Sequence, residues 1–273
     1  MNHTMIEARA WISDLARLIH DQVDGTVILL GSLANREYVP GYSDIDLEWV
    51  FPDRPSPDVL NLLRTSVAKV VDNQPYVLNL RPIRSYEFPR SYPPIGSYDF
   101  VRRFALKEGE VLAGGPEVLD QITLATHVRR AERLISVDRL DYYLRRLRRL
   151  AINPTAITTV TTESVRLLLQ QATAYTLHAC RYANATLCGT VACPLAETAR
   201  LAVTLPLPAS FAEHVEAAVR VRSAWTLTVN STDLDGARGY LLNAISAVET
   251  VRGAVPAHLD APPIELDYRT TRS

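Results

Sequence analysis

Hydrophobic and polar residues follow two different periods along this 273-residue chain. Up to about residue 124, short apolar runs of strand length alternate with segments of helical spacing, whereas beyond it only the helical spacing recurs. The last stretch, from Pro256 onward, combines three prolines with few apolar side chains. The pattern predicts an α/β domain over 1–124, an all-helical domain over 125–253 and a loosely held tail over 254–273.

The first half is predicted to form a sheet flanked by helices. Apolar residues spaced three and four apart give one helix over Met5–Gln22, with the stripe Ile12, Leu15 and Ile19. A second helix begins at Ser56 or Asp58, and its stripe consists of Leu60, Leu63, Val67 and Val70. Short apolar runs bounded by turn residues predict four strands. One of them is the stretch that carries Asp44 and Asp46, and the others lie at Val27–Leu30, Tyr76–Leu80 and Glu110–Gly114. The proline-rich stretch Arg81–Tyr98 fits no regular element, and a further helix is predicted over Tyr98–Lys107.

The second half is predicted to be a bundle of about five helices. A leucine-rich helix ends at Asn153-Pro154, and the others include Thr162–Asn184, Ala209–Val229 and Asp233–Arg252. The last of these has Thr232 or Asp233 as its predicted cap. The leucine-rich helix also carries a basic run, which consists of Arg145, Arg146, Arg148 and Arg149. Because the apolar stripe of that helix is intact, the arginines form either a solvated face or a set of guanidinium groups that grips a triphosphate or an anionic acceptor.

Charge and cysteine content narrow the class of protein. The 29 Lys and Arg residues almost balance the 30 Asp and Glu residues, which makes nucleic acid an unlikely partner and favours a small molecule. Three cysteines, an odd number with no signal peptide ahead of them, predict a cytoplasmic location. No apolar run reaches membrane-spanning length, so no membrane association is expected.

The chemistry is concentrated between Thr26 and Phe51. A predicted strand leads directly into Gly31-Ser32, where glycine permits close backbone approach and Ser32 is expected to cap the following helix. Further along, Asp44 and Asp46 flank Ile45, so on a strand the two carboxylates share one face while Ile45 points into the core. Two carboxylates held that close favour a cation between them, and hard oxygen ligands suit Mg²⁺ that also binds phosphate.

The motif consists of Gly31-Ser32, a spacer and then Ser43-Asp44-Ile45-Asp46-Leu47. It resembles the signature of the polymerase-beta-type nucleotidyltransferase superfamily, most of all that of the bacterial streptomycin- and spectinomycin-type aminoglycoside nucleotidyltransferases. The resemblance implies a nucleotidyltransferase domain with a mixed sheet, followed by a helical bundle domain. It implies that Asp44 and Asp46 are catalytic and bind Mg²⁺, and that Gly31, Ser32 and Ser43 bind the nucleotide triphosphate. The implied reaction is transfer of AMP from ATP to a hydroxyl or phosphate of a small-molecule acceptor, with pyrophosphate release. A homodimer is left open.

The sequence departs from this family at the third carboxylate, because Asn79 occupies the matching strand and cannot take up a proton at neutral pH. The candidates for a general base, in order of preference, are Glu87, Glu163 and Glu48. If the acceptor hydroxyl reacts as a metal-bound alkoxide, no general base is needed. Glu87 is therefore included with Asp44 and Asp46 among the predicted catalytic residues. The alternative is a catalytically degenerate nucleotide-binding or regulatory, antitoxin-like module, which the missing acid favours and the intact aspartate pair opposes.

Overall fold

The computed structural model describes residues 3–51, 55–72, 74–84, 109–115, 126–152, 161–188 and 194–255. The chain divides into two compact units, Met1–Leu124 and Ala125–Ser273. The first contains a mixed sheet with helices, and the described elements of the second are all helical, which confirms the predicted fold class. The predicted helix over Tyr98–Lys107 and the stretch from Pro256 onward lie outside the described residues.

Unit 1 contains three helices and four strands within its described residues. In chain order these are α1 (His3–Gln22), β1 (Thr26–Leu30), α2 (Gly31–Ala34), β2 (Ile45–Phe51), α3 (Pro57–Val71), β3 (Leu78–Arg84) and β4 (Glu110–Ala113). The strand order is β3-β2-β1-β4. β1 runs antiparallel to both β2 and β4, whereas β2 and β3 are parallel, so the sheet is mixed.

The core of unit 1 forms between α1 and the sheet. The predicted stripe of α1, Ile12, Leu15 and Ile19, is fully buried. Ile45 and Leu47 of β2 belong to the same hydrophobic cluster, which confirms that they point inward. Burial of such side chains stabilises each by about 1.5–3 kcal/mol relative to exposure, so β2 is held firmly in its register.

Two predictions about α3 and β3 need correction. Ser56 does cap α3, since its Oγ accepts a hydrogen bond from Val59 N, but Leu60 of the predicted apolar stripe is 44% exposed. β3 begins at Leu78 and continues to Arg84, into the stretch that was expected to be irregular. Pro82 is tolerated there because β3 is an edge strand, where a missing N–H on the open side removes no sheet hydrogen bond.

The described residues of unit 2 form the helices α4 (Thr126–Ile152), α5 (Thr162–Ala183), α6 (Leu195–Ala202), α7 (Ala209–Ser223), α8 (Trp225–Ser231) and α9 (Leu234–Ala254), with a π-helical turn at Asn184–Cys188. α5 packs against α4, α7 and α9. Asp233 caps α9 as one of the two predicted caps, with its carboxylate accepting from Gly236 N at 2.7 Å. The single helix predicted over Ala209–Val229 is wrong, because the backbone leaves helical geometry at Ala224.

No helix within the described ranges combines the length and the apolar character that crossing a bilayer requires.

Candidate active site

Gly31 makes the turn at the end of β1. Its φ of 70° lies in the left-handed region that favours glycine. Strand pairing places Leu30 opposite Asp46, so the turn and this carboxylate are neighbours. A Cβ added at Gly31 would lie 2.6 Å from Asp46 Oδ2, closer than real Cβ atoms approach other atoms. Glycine at this position therefore keeps a side chain away from the Asp46 carboxylate.

Ser32 lies inside α2 and does not cap it. The N-cap position is held by Leu30, without a side-chain hydrogen bond, so the expected capping role is wrong. The backbone of Ser32 instead supports the following loop, because Glu37 N donates to Ser32 O at 2.7 Å. Leu33 is fully buried and anchors the turn to the core. Ser32 thus remains next to Gly31 at the site, with a local structural contribution through its carbonyl.

Ser43 closes the loop that leads into β2. Its Oγ accepts a hydrogen bond from Val39 N at 3.1 Å, and its own N–H donates to Val39 O at 2.9 Å. These two bonds fix the chain just before Asp44. The geometry gives Ser43 a role in positioning the aspartates, which the sequence did not indicate.

The aspartates lie at the start of β2. Asp44 precedes the strand by one residue, and Asp46 is its second residue, with a side chain that is only 15% exposed. Asp44 is also close to Tyr38, whose pKa is raised by burial, then by Tyr76 and then by the negative charge of Asp44. The pair therefore lies at the edge of the core of unit 1, where charges are less screened than at an open surface.

β3 supplies the remaining side chains of the site. Parallel pairing places Asn79 opposite Asp46 and Arg81 opposite Glu48. Asn79 Nδ2 donates to Asp46 Oδ1 at 2.9 Å, which confirms that this strand position faces the aspartate. Arg81 Nη2 donates to the same Oδ1 at 3.3 Å. Asp46 is thus held by an amide and by a guanidinium.

Arg81 also contacts a second carboxylate. Its Nε lies 2.9 Å from Glu48 Oε1, an ion pair without hydrogen-bond alignment, and Glu48 is only 1% exposed. Glu48 was the third choice for general base, but its burial and its ion pair with Arg81 oppose that role. Sequence reasoning missed Arg81; the signal was its position two residues after Asn79, on the same face of the strand.

The donor set fits Mg²⁺. Carboxylate oxygens are the ligands this ion prefers, and at Gly31 it is the backbone rather than a side chain that lies against Asp46 Oδ2. Within the described ranges, no group of three or more His, Cys, Asp or Glu residues is arranged to hold a metal ion. Any Mg²⁺ at this site would therefore depend on the carboxylates of Asp44 and Asp46 together with oxygens from a ligand.

The other predicted residues lie elsewhere. Glu87 falls outside the described residues. Glu163 lies in the first turn of α5 in unit 2, where its side chain is 79% exposed and 4.0 Å from Arg166 Nη1. In the basic run of α4, Arg148 pairs with Glu249 at 2.6 Å and Arg146 donates to Tyr175 Oη at 3.2 Å. These exposed contacts within unit 2 favour the solvated-face interpretation of the run.

Comparison with known proteins finds similarity in structure alone. No family model matches the sequence, and no curated protein matches it. Among solved structures, the chain is similar to the spectinomycin adenyltransferase AAD(9) from Enterococcus faecialis, crystallised with ATP and spectinomycin. The TM-score is 0.50 at 15% sequence identity, over 88% of this chain and 99% of that one. The likeness shows that the fold is nucleotidyltransferase-like.

Proposed function

We propose that this protein is a Mg²⁺-dependent nucleotidyltransferase that transfers AMP from ATP to a hydroxyl or phosphate of a small molecule and releases pyrophosphate. The observation that carries the proposal is the contact between the left-handed turn at Gly31 and the carboxylate of Asp46. In this proposal, the turn at the end of the core strand brings the backbone of Gly31 beside the aspartate that binds the cation of the phosphate. The fold of the adenyltransferase neighbour supports the same class of reaction.

Each residue of the site has a defined role in this proposal. Gly31 and Ser32 form the backbone turn against which the triphosphate lies, and Ser43 holds the loop that positions Asp44. Asp44 and Asp46 hold Mg²⁺, which supplies charge neutralisation for the pyrophosphate and activation of the acceptor hydroxyl when bound. Asn79 orients Asp46 through its amide, and it cannot accept a proton from the acceptor.

ATP and a small polar acceptor are proposed as substrates because the structural neighbour was crystallised with ATP and spectinomycin. The proposal includes a cytoplasmic location and favours a small molecule over a nucleic-acid acceptor, in line with the near-zero net charge. A homodimer is a further possibility that sedimentation of the purified protein would test.

The test is magnesium-dependent pyrophosphate release from ATP in the presence of a panel of small hydroxyl-bearing and phosphorylated acceptors. We expect release that requires both Mg²⁺ and one class of acceptor, and that is lost when Asp44 or Asp46 is changed to asparagine. Absence of release with every acceptor, under conditions where ATP binding is measurable, would contradict transfer and favour a binding function.

A catalytically degenerate nucleotide-binding or regulatory module, antitoxin-like in kind, is the second candidate. It is favoured by the amide of Asn79 at the position next to Asp46 where the resembled family has a third acid. This candidate predicts ATP binding without pyrophosphate release, and a gain of release when Asn79→Glu restores the acid. An active wild-type protein whose rate falls in Asn79→Glu would exclude it.

A further inference from the structure

We propose that Arg81 is a positioning residue that acts as an internal counter-cation of Asp46, so that the site binds a divalent cation weakly until a nucleotide triphosphate supplies further oxygens. The inference rests on the proposed function, because it concerns the Mg²⁺ site of that function. It assigns to Arg81 and Glu48 a shared role in controlling metal affinity, which neither the sequence motif nor the fold comparison indicates.

The geometry of Arg81 fixes its charge beside Asp46. One edge of the guanidinium is 2.9 Å from Glu48 Oε1, and Nη2 is 3.3 Å from Asp46 Oδ1. Glu48 is almost completely buried, and a buried carboxylate is strongly destabilised when its positive partner is removed. The ion pair with Glu48 therefore favours an Arg81 side chain that stays beside Asp46.

The position of Arg81 has a direct consequence for metal binding. Asp46 Oδ1 already accepts from Asn79 and Arg81, while Oδ2 is the oxygen that faces Gly31. A guanidinium within hydrogen-bond distance of a carboxylate lowers the attraction of that carboxylate for another cation, and the effect is large where water is partly excluded. A metal ion alone must overcome this repulsion, whereas a metal ion carried by a triphosphate brings negative charge that Arg81 attracts.

The experiment measures metal affinity without nucleotide or acceptor, by titrating the protein with Mn²⁺ and following free Mn²⁺ by electron paramagnetic resonance, with Mg²⁺ as competitor. The main variant is Glu48→Gln/Arg81→Met, which removes the buried Glu48 carboxylate together with its guanidinium partner and leaves Asp46 without the counter-cation. We expect Mn²⁺ affinity to rise at least about tenfold. Asp46→Asn added to this variant should abolish the gain.

The matched control is Asp14→Asn/Arg17→Met, which removes an exposed ion pair of α1 with the same change in net charge. Its Mn²⁺ affinity should equal that of the wild type. Glu48→Gln alone provides a second test that keeps the guanidinium, and it should weaken Mn²⁺ binding several-fold because Arg81 then interacts chiefly with Asp46. This second variant decides the matter if the double variant does not fold.

The proposal is overturned if Glu48→Gln/Arg81→Met binds Mn²⁺ with the same affinity as the wild type. It is also overturned if neither protein binds Mn²⁺ detectably. An equal gain in the control variant overturns it as well, and so does unchanged affinity in Glu48→Gln when the double variant does not fold. The titration contains no ATP, so its outcome is separate from that of the proposed function. If the wild type releases no pyrophosphate but Glu48→Gln/Arg81→Met binds Mn²⁺ more tightly than the wild type, the proposed catalysis is rejected and the proposed role of Arg81 is retained.

Discussion

Among the described residues, both units bury polar side chains, and each buries a charged one, Glu48 in unit 1 and Arg181 in unit 2. The two units differ in the contacts that surround a shared charge. In unit 1, Asp46 and Glu48 share the guanidinium of Arg81. Two contacts within unit 2 instead join neutral groups: Thr176 Oγ1 lies 3.3 Å from His214 Nε2, and Thr173 Oγ1 lies 3.1 Å from Tyr240 Oη.

Burial keeps these unit 2 groups neutral. It lowers the pKa of His214 from 6.5 to about 4. It raises the pKa of Tyr240 from 10.0 to about 12, and a hydrogen bond from Thr173 opposes only part of that rise. The buried thiol of Cys180 likewise has its pKa raised to about 12. At neutral pH these side chains contribute hydrogen bonds and packing, with no charge to compensate.

The contrast separates a structural role from a functional one. A buried ion pair often stabilises a protein no better than apolar residues of similar volume, since removing two charges from water costs several kcal/mol. Neutral buried hydrogen bonds contribute about 1 kcal/mol each and need no such compensation. These neutral contacts of unit 2 are therefore explained by folding, whereas the shared guanidinium of Arg81 in unit 1 favours a role in the proposed site.

Asp46→Asn is the change with the largest expected effect. It removes a charge that the proposed function assigns to binding Mg²⁺, so nucleotide transfer should fall at least about a thousandfold, which corresponds to about 4 kcal/mol. The free energy of unfolding should change by no more than about 1 kcal/mol, because the asparagine can still accept hydrogen bonds from Asn79 and Arg81. Pyrophosphate release and urea unfolding measure the two quantities.

Asp44→Asn should behave in the same way as Asp46→Asn. Asp14→Asn, on the exposed surface of α1, is the control and should leave activity unchanged. Wild-type activity in either site variant would mean that the aspartate pair is not the metal site.

His214 should make unit 2 sensitive to acid. Its folded pKa of about 4 lies below the unfolded value of 6.5, so between these values the unfolded state binds a proton that the folded state does not. Stability from this group is therefore complete above pH 6.5 and is lost as the pH falls toward 4, by on the order of 3 kcal/mol.

Urea unfolding of wild type and His214→Gln from pH 7.5 to 4.5 tests this. The variant should lose less stability over that range, and parallel curves for the two proteins would show that His214 is not the group responsible. Nucleotide binding by unit 1 should not follow the same pH dependence.

Gly31→Val should weaken ATP binding at least about tenfold. A β-branched residue at a φ of 70° is strained, and its Cβ would meet Asp46 Oδ2. Gly239→Ala in α9 is the control, since nothing lies within 4 Å of its added Cβ. Calorimetry with ATP and Mg²⁺ should detect the loss in the first variant alone; equal affinities would place the turn outside the site.

Thr173→Val should have the smallest effect, a loss of about 1 kcal/mol in the free energy of unfolding with activity unchanged. The change leaves the buried hydroxyl of Tyr240 without the threonine hydroxyl. Adding Tyr240→Phe should recover part of the loss, because both polar groups are then removed. Thr204→Val, an exposed threonine, should be near neutral. Similar losses at both threonines would remove the contrast between buried and exposed contacts.

Local periodicity was sufficient for most elements of both units. The stripe of α1, the cap at Ser56, the inward positions of Ile45 and Leu47 and the cap at Asp233 each depend on residues a few positions apart. The sequence pattern did not predict the helix break at Ala224, because the apolar spacing continues through it. Whether the backbone leaves helical geometry at that residue depends on packing.

The sequence alone determined which chemical groups are present: a glycine after a core strand, two aspartates separated by one residue, and an asparagine where the resembled family has an acid. Only the tertiary structure decided that Arg81 joins this set and pairs with Glu48, since parallel pairing of β2 and β3 sets residues opposite each other across more than thirty positions. Likewise, the Gly31 contact with Asp46 follows from antiparallel register. Periodicity is a local property of the chain, whereas register depends on the whole core.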